Sequence, residues 1–195
     1  MQKLVLLVLF CSVCSAFGQL SLEDYNRRMY NYNKGGWIVV GAWSVVGVGV
    51  GGYGIAHPKN LQNKYFQEMN VMANMANLCF AIPGYISAMR KDPASFNEKD
   101  TYRHNVRHEN TYLFNAGLDI FYTVTGLRLR QLGQTNKNHP EILTGFGNSL
   151  IVQGGFLLCT DLTMTILHNI HRRRKFDNNV EFSTGPNGIG FKWKL

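Results

Sequence analysis

Three ionisable side chains occur within or at the end of long apolar segments of this sequence, where such groups are rare. They are Asp119, Asp161 and His168. A carboxyl group at membrane depth is a candidate functional group by default, because burying it there is costly. Placed together, two carboxyl groups and an imidazole could relay protons, bind a cation or form a metal site. The alternative is that each group is protonated or hydrogen-bonded to a neighbouring side chain.

A stripe of amides accompanies these groups in the stretch KYFQEMNVMANMANLCF. Asn70, Asn74 and Asn77 are separated by four and then three residues, which places them within about 60° of one another on a helix. An unpaired amide in hydrocarbon is expensive, so this face should contact protein rather than lipid. Two interpretations remain open: the amides hold helices together, or they line a path for a ligand or an ion.

Similar polar faces occur on two later segments. They add Asn115, Asp119, Tyr122, Gln153, Asp161 and His168 to the candidates for such a path. If the two segments run antiparallel, Asp119 and Asp161 lie at a similar depth, about 10 Å in. Asp119, Asp161 and His168 are weak candidates for metal ligands, and we expect no metal.

Other motifs are weaker still. His104 and His108 are four residues apart in HNVRHE, but the order is not the HExxH of zinc proteases. No phosphate-binding loop and no GxSxG sequence is present, so we expect no cofactor. The net charge of +8 comes from cations spread over the loops, which favours contact with anionic lipid and not with nucleic acid.

Four apolar segments must position the candidate residues. The first, residues 35–56, contains 22 residues without a charge, enough to cross a hydrocarbon core of about 30 Å. Its VGVGVGG alternation allows a strand as the alternative, but its length and the small residues favour a membrane helix. The other predicted spans are 69–89, 112–127 and 143–167. Short polar connections predict an all-α, antiparallel four-helix transmembrane bundle.

The two ends of the chain predict different features. Residues 1–18 have an early cation, an apolar core and a small residue at the end, as in a cleaved signal peptide; an uncleaved anchor is the alternative. Residues 19–171 form the membrane domain. Residues 172–195 form a basic tail that is irregular or a short hairpin around GPNG. Cys79 and Cys159 remain after cleavage, and we expect them to be buried, unpaired thiols.

The sequence gives conflicting indications of how the protein is oriented in the membrane. The leader would place residue 20 outside the cell, yet fourteen cations then lie outside and five inside. The positive-inside rule favours the reverse orientation. We follow the leader and expect a membrane protein of the bacterial cell envelope, in the inner membrane.

Three stretches carry a resemblance to a family: KYFQEMNVMANMANL, NAGLDIFY and NSLIVQGGFLLCTD. They resemble an uncharacterised bacterial family of small four-span membrane proteins, over roughly residues 31–171. The resemblance implies the fold and brings no assigned activity.

Three functional hypotheses follow. The first is a structural or assembly component that binds lipid and other membrane proteins or itself, and for which we expect no enzymatic activity. Its close-approach surface would be Gly47, Gly49, Gly51 and Gly52. The second is a small transporter or proton-coupled carrier that uses the Asp, Asn and Gln residues. The third is a membrane metalloenzyme.

Overall fold

Four long helices in an antiparallel bundle dominate the computed structural model, which describes residues 21–136, 138–176, 180–185 and 188–193. The helices are α1 (Leu22–Ala56), α2 (Leu61–Met89), α3 (Glu98–Thr135) and α4 (Pro140–Phe176). A 3-10 helix, Pro93–Ser95, lies between α2 and α3. Strands β1 (Val180–Gly185) and β2 (Gly188–Trp193) pair antiparallel after α4. The predicted leader, residues 1–18, lies outside the described residues.

Polar caps begin three of the helices and make them longer than the predicted spans. The side chains of Ser21, Asn60 and Asn97 accept hydrogen bonds from backbone N–H groups three residues later, at 3.0, 2.7 and 2.9 Å. These bonds satisfy donors that a helix start leaves unpaired. The helices therefore continue through polar sequence outside the apolar segments. At the other end of the chain, α4 continues to Phe176, so the first residues predicted as a basic tail are helical.

The helices pack most closely as two pairs, α1 with α2 and α3 with α4, and α4 also contacts α1 and α2. Glycines bring the backbones of α3 and α4 together. A Cβ atom added at Gly126 would lie 2.7 Å from the carbonyl oxygen of Gly147, and one added at Gly147 would lie 2.6 Å from that of Gly126. Only glycine allows this approach, which is the packing that small residues give to membrane helices.

The middle of the bundle is apolar outside and polar inside. Phe80, Phe114 and Phe121 are 71%, 68% and 64% exposed, whereas Asn74 and Gln153 are 0% and 3% exposed. In water this arrangement would be unfavourable, but in lipid it places apolar groups against acyl chains and pairs the polar groups. Among the described residues, three helices, α1, α2 and α4, are long and apolar enough to cross a membrane. These features indicate membrane association.

The end of the bundle at which α1 begins and α4 ends has a different core. Tyr25, Met29, Tyr30 and Tyr112 are almost fully buried there, together with several amide and imidazole groups. We call this part the polar end. Here the helices bury both ring systems and polar groups, as a compact domain does in water.

The prediction that the two cysteines are buried is wrong. Cys79 and Cys159 are both exposed, and neither forms a disulfide within the described part of the chain. Each lies on the outward side of its helix, because the inward sides of α2 and α4 carry the amides. A thiol behaves as a small apolar group, so an apolar surrounding accommodates it there.

Candidate functional site

An amide ladder links three helices in the middle of the bundle. Trp43 Nε1 of α1 donates to Gln153 Oε1 of α4 at 3.0 Å, and Gln153 Nε2 donates to Asn70 Oδ1 of α2 at 2.6 Å. Asn74 Nδ2 donates to the same Asn70 oxygen at 3.0 Å, and Asn70 Nδ2 donates to the Gly47 carbonyl at 3.1 Å. The ladder therefore fixes the register of α1, α2 and α4.

The two carboxyl groups of the apolar segments form a pair between α3 and α4. Asp119 and Asp161 are 3% and 7% exposed, and their carboxyl groups lie close enough to interact with each other. Two neighbouring carboxylates repel each other strongly when they are buried, which favours a proton shared between them. Asp119 Oδ2 is buried and has no hydrogen-bond partner among the described residues. The pair can hold or pass on a proton.

His168 does not join the carboxyl pair but lies in the polar end. Its Nδ1 is 3.0 Å from Asn105 Oδ1, and its Nε2 is 3.1 Å from Asn33 Oδ1. Tyr112 Oη also donates to Asn33 Oδ1, at 3.0 Å, and Asn105 Nδ2 donates to Tyr25 Oη. A neutral imidazole can donate to only one of the two amide oxygens, whereas the imidazolium donates to both. His168 thus ties α1, α3 and α4 together.

Two further contacts close the polar end. The ring of His171 stacks on that of Tyr25, with centroids 3.9 Å apart, and its Nε2 lies 3.0 Å from the Tyr25 carbonyl oxygen. Glu109 of α3 accepts from Arg172 Nε of α4 at 3.0 Å and also from Asn169 Nδ2. The Arg172–Glu109 pair is mostly shielded from solvent, with both side chains 15% exposed.

A cavity of about 180 Å³ lies beside the polar end, where α2 stops and α1 and α3 continue. Eleven residues line it: Tyr30, Asn33, Trp37, Gly84, Ser87, Ala88, Lys91, His104, His108, Thr111 and Tyr112. Burial, followed by the nearby His104, Arg107 and Lys91, lowers the pKa of His108 to about 4. Burial, Lys91 and Arg107 also lower the pKa of His104, and Asp100 acts in the opposite direction. The cavity therefore has neutral imidazoles in a positive field at pH 7.

The predicted site residues fall into separate groups. Asn70, Asn74 and Gln153 belong to the amide ladder, Asp119 and Asp161 to the carboxyl pair, and His168 to the polar end. Asn77 is half-buried, and its Nδ2 has no hydrogen-bond partner in the described ranges. Asn115 is half-buried, and Tyr122 is 42% exposed on the outside of α3. Among the described residues, no side-chain hydrogen bond joins these groups to one another.

Sequence analysis missed the amides and rings that complete the polar end. Their signal was the helical spacing of Tyr25, Asn26, Met29, Tyr30 and Asn33, which are all buried on one face of α1. The segment is too polar to register as a membrane span, so hydropathy did not reveal it.

The structure does not favour a metal centre at the predicted residues. Within the described ranges, no group of three or more His, Cys, Asp and Glu side chains is arranged to hold a metal ion. His168 bonds to amides instead of approaching Asp119 and Asp161. Within the part of the chain that the structure describes, the geometry adds no support to the metalloenzyme hypothesis.

Comparison with known proteins places the chain in a family. The model of a family of unknown function, DUF6992, matches residues 39–162. This match includes the amide ladder and the carboxyl pair. No curated protein and no solved structure matches the chain. The chain belongs to the DUF6992 family of unknown function.

Proposed function

We propose that this protein is an integral membrane protein in which all four helices span the bilayer. The fourth span is α3, which is more polar overall than its neighbours. Its outward side supports the proposal: Leu113, Phe114, Ile120, Phe121 and Val124 are all more than half exposed. These side chains would contact lipid, while Asp119 is buried and interacts with Asp161 of α4.

Its leading role in this proposal is that of a structural or assembly component that binds other membrane proteins. The observation that carries this role is the outer face of α1. Gly49 and Gly52 lie open there, since a Cβ atom added at either would have no neighbour within 4 Å. The valines around them, Val45, Val46 and Val50, are 62%, 62% and 58% exposed. Open glycines let a second membrane helix approach closely.

The four glycines of the predicted close-approach surface on α1 differ in their surroundings: two contact α2, and two are open. A Cβ atom at Gly47 would overlap Asn74, and one at Gly51 would lie 2.5 Å from Val71 Cγ2. Both glycines therefore serve the contact between α1 and α2 within the chain. Only Gly49 and Gly52 remain as the surface for a partner.

Crosslinking in native membranes tests this role. We expect the double substitution Gly49→Leu and Gly52→Leu to remove crosslinked complexes and to leave the monomer folded. Gly117→Leu is the matched control, because Gly117 is also open but lies on α3. Intact complexes in the double variant, or equal loss in the control, would refute the role of this face.

A second candidate is a small proton-coupled carrier, which the carboxyl pair favours. Two carboxyl groups that share a proton can exchange it with a transported ion or substrate. The proposal predicts that Asp119→Asn and Asp161→Asn each abolish proton flux in liposomes. Because an amide has nearly the shape of a protonated carboxyl group and also offers a donor and an acceptor, the fold should survive. Flux that persists in both variants would exclude the carrier.

We also propose that the protein is exported through its leader into the inner membrane of a bacterial envelope, with the polar end outside. The start of α1 and the end of α4 both lie at this end. In a variant without native cysteines, Asn31→Cys should react with a membrane-impermeant maleimide in intact cells, and Asn138→Cys should not. Both asparagines are exposed, at opposite ends of the bundle. Labelling of Asn138→Cys and not of Asn31→Cys would instead support the reverse orientation, which the positive-inside rule favours.

A further inference from the structure

The cavity beside the polar end is a consequence of unequal helix lengths. α2 ends at Met89, whereas α1 and α3 run on past it and line the cavity with Tyr30 and His104, among others. Its volume of about 180 Å³ corresponds to about six water molecules at their share of liquid volume. A molecular fragment of five or six non-hydrogen atoms fits in this space.

Three polar atoms of residues that line the cavity are buried without a partner. They are Tyr30 Oη, Asn33 Nδ2 and His108 Nε2, none of which has a hydrogen-bond partner among the residues that the structure describes. Tyr30 and Asn33 are only 3% and 2% exposed. Burying such groups unpaired is unfavourable, so an occupant that hydrogen-bonds to them would relieve a cost built into the fold.

The free groups are mainly donors. Asn33 Oδ1 already accepts from Tyr112 Oη at 3.0 Å, which leaves the NH₂ side of the amide. Tyr30 offers a hydroxyl with nothing to donate to. Ser87 lines the same space and adds a further hydroxyl. Tyr30 and Asn33 lie on α1, and Ser87 lies on α2. Donors from different helices around a small volume suit an occupant with several acceptor oxygens.

The charges around the cavity also favour an occupant with acceptor oxygens. Lys91 lines it, and Arg107 is close enough to affect both histidines. No Asp or Glu is among the described lining residues, and Asp100, near His104, is the nearest opposing charge that acts on it. The carboxyl end of α2 adds a partial negative charge, which Lys91 offsets. The cations at this cavity therefore favour an anionic occupant.

We propose that this cavity binds a phosphate group, held by Tyr30, Asn33 and Lys91. A phosphate has five non-hydrogen atoms and four acceptor oxygens, which match the volume and the donors. It could be inorganic phosphate or the headgroup of an anionic lipid. The lipid source alone rests on the proposed membrane location, because the cavity would then lie near the level of the headgroups.

Binding to the purified full chain in a phosphate-free detergent tests the proposal. The probes are inorganic phosphate and dihexanoyl phosphatidic acid, titrated calorimetrically at constant ionic strength. We expect one site per chain for at least one probe. Phosphate binding identifies the free anion as a sufficient ligand, whereas binding of the short-chain lipid alone identifies the headgroup as the source. No heat from either probe at millimolar concentration would overturn the proposal.

Two pairs of variants locate the binding. Tyr30→Phe removes a hydroxyl that has no partner, so it should weaken binding roughly tenfold without lowering the melting temperature of the unliganded protein. Tyr53→Phe is its control, because Tyr53 is 70% exposed at the far end of α1. Lys91→Gln should also weaken binding roughly tenfold and reduce its salt dependence, and Lys59→Gln should not. Equal affinities in Tyr30→Phe and Tyr53→Phe would show that the ligand binds elsewhere.

Discussion

Gln153 of α4 donates a hydrogen bond to Asn70 of α2 across the centre of the bundle, at 2.6 Å. Both side chains lie in segments that are otherwise apolar. The Asn70 amide also serves Asn74 and the backbone of Gly47, so one residue joins three helices. Asn70 and Asn74 of α2 therefore face the interior of the bundle, where they form hydrogen bonds within the protein and avoid contact with lipid.

Removal of Asn70 should disconnect the ladder. Asn70→Leu leaves Gln153 Nε2 and Asn74 Nδ2 without their shared acceptor, and we expect a loss of about 1 to 2 kcal/mol in the free energy of unfolding. Unfolding by sodium dodecyl sulfate in mixed micelles measures this loss. Gln131→Leu, at an exposed position of α3, is the control. Equal stability of Asn70→Leu and the wild type would show that the ladder does not hold the helices.

Two glycines of α1 that are two residues apart should respond in opposite ways. Gly47→Val overpacks the contact with Asn74 and should destabilise the fold by about 1 to 3 kcal/mol. Gly49→Val points away from the bundle and should leave the melting temperature of the isolated chain unchanged. Melting curves in detergent compare the two variants. The assignment of the α1 faces would be wrong if Gly49→Val were the more damaging change.

Stability should fall in acid because His108 is held neutral. Its pKa is lowered from 6.5 to about 4 in the folded chain, so the unfolded chain binds more protons between these values. The contribution of His108 to stability is then fully present above pH 6.5, decreases by about 3 kcal/mol as the pH falls to 4, and changes no further below that. Unfolding measured from pH 7.5 to 4 gives the slope.

His108→Gln is the variant for this pH dependence, since it removes the titrating group and keeps a polar side chain. The slope between pH 6.5 and 4 should become shallower in this variant. His57→Gln, at an exposed position outside the cavity, should leave the slope as it is. An unchanged slope in His108→Gln would mean that other groups cause the acid sensitivity.

The Glu109–Arg172 pair should stabilise the docking of α4 on α3. Glu109→Gln removes the charge that faces Arg172 and leaves the guanidinium 15% exposed beside a neutral group. We expect a loss of about 1 to 3 kcal/mol. Glu23→Gln is the control, because its ion pair with Arg27 lies on the surface and contributes little. Similar effects of the two substitutions would argue against a special role for the buried pair.

Hydropathy predicted the number and order of the four helices but not their lengths. It detects residues that would contact lipid, as in the 22 uncharged residues of α1. It does not detect the polar extension from Leu22, which is helical because Ser21 caps it and because Tyr25, Met29 and Asn33 pack inward. Helix α3 shows the same limit, since its polar first turns are helical and contribute His104 and His108 to the lining of the cavity.

The candidate site could be predicted only in part, because residue type does not give the partner. The spacing of Asn70 and Asn74 predicts one face, and the antiparallel order brings Asp119 near Asp161. His168 differs: its sequence distance from Asp161 suggested a shared site, but amides from α1 and α3 surround it. Contacts between helices distant in sequence decide such positions, and no local pattern encodes them.

The most direct test of this account is whether the protein resides in the lipid bilayer. Membranes that contain the full chain are washed with alkaline carbonate and floated on a density gradient. The account predicts that the protein floats with the lipid and needs detergent to become monodisperse. Recovery of a folded, monodisperse chain in the carbonate supernatant without detergent would contradict it.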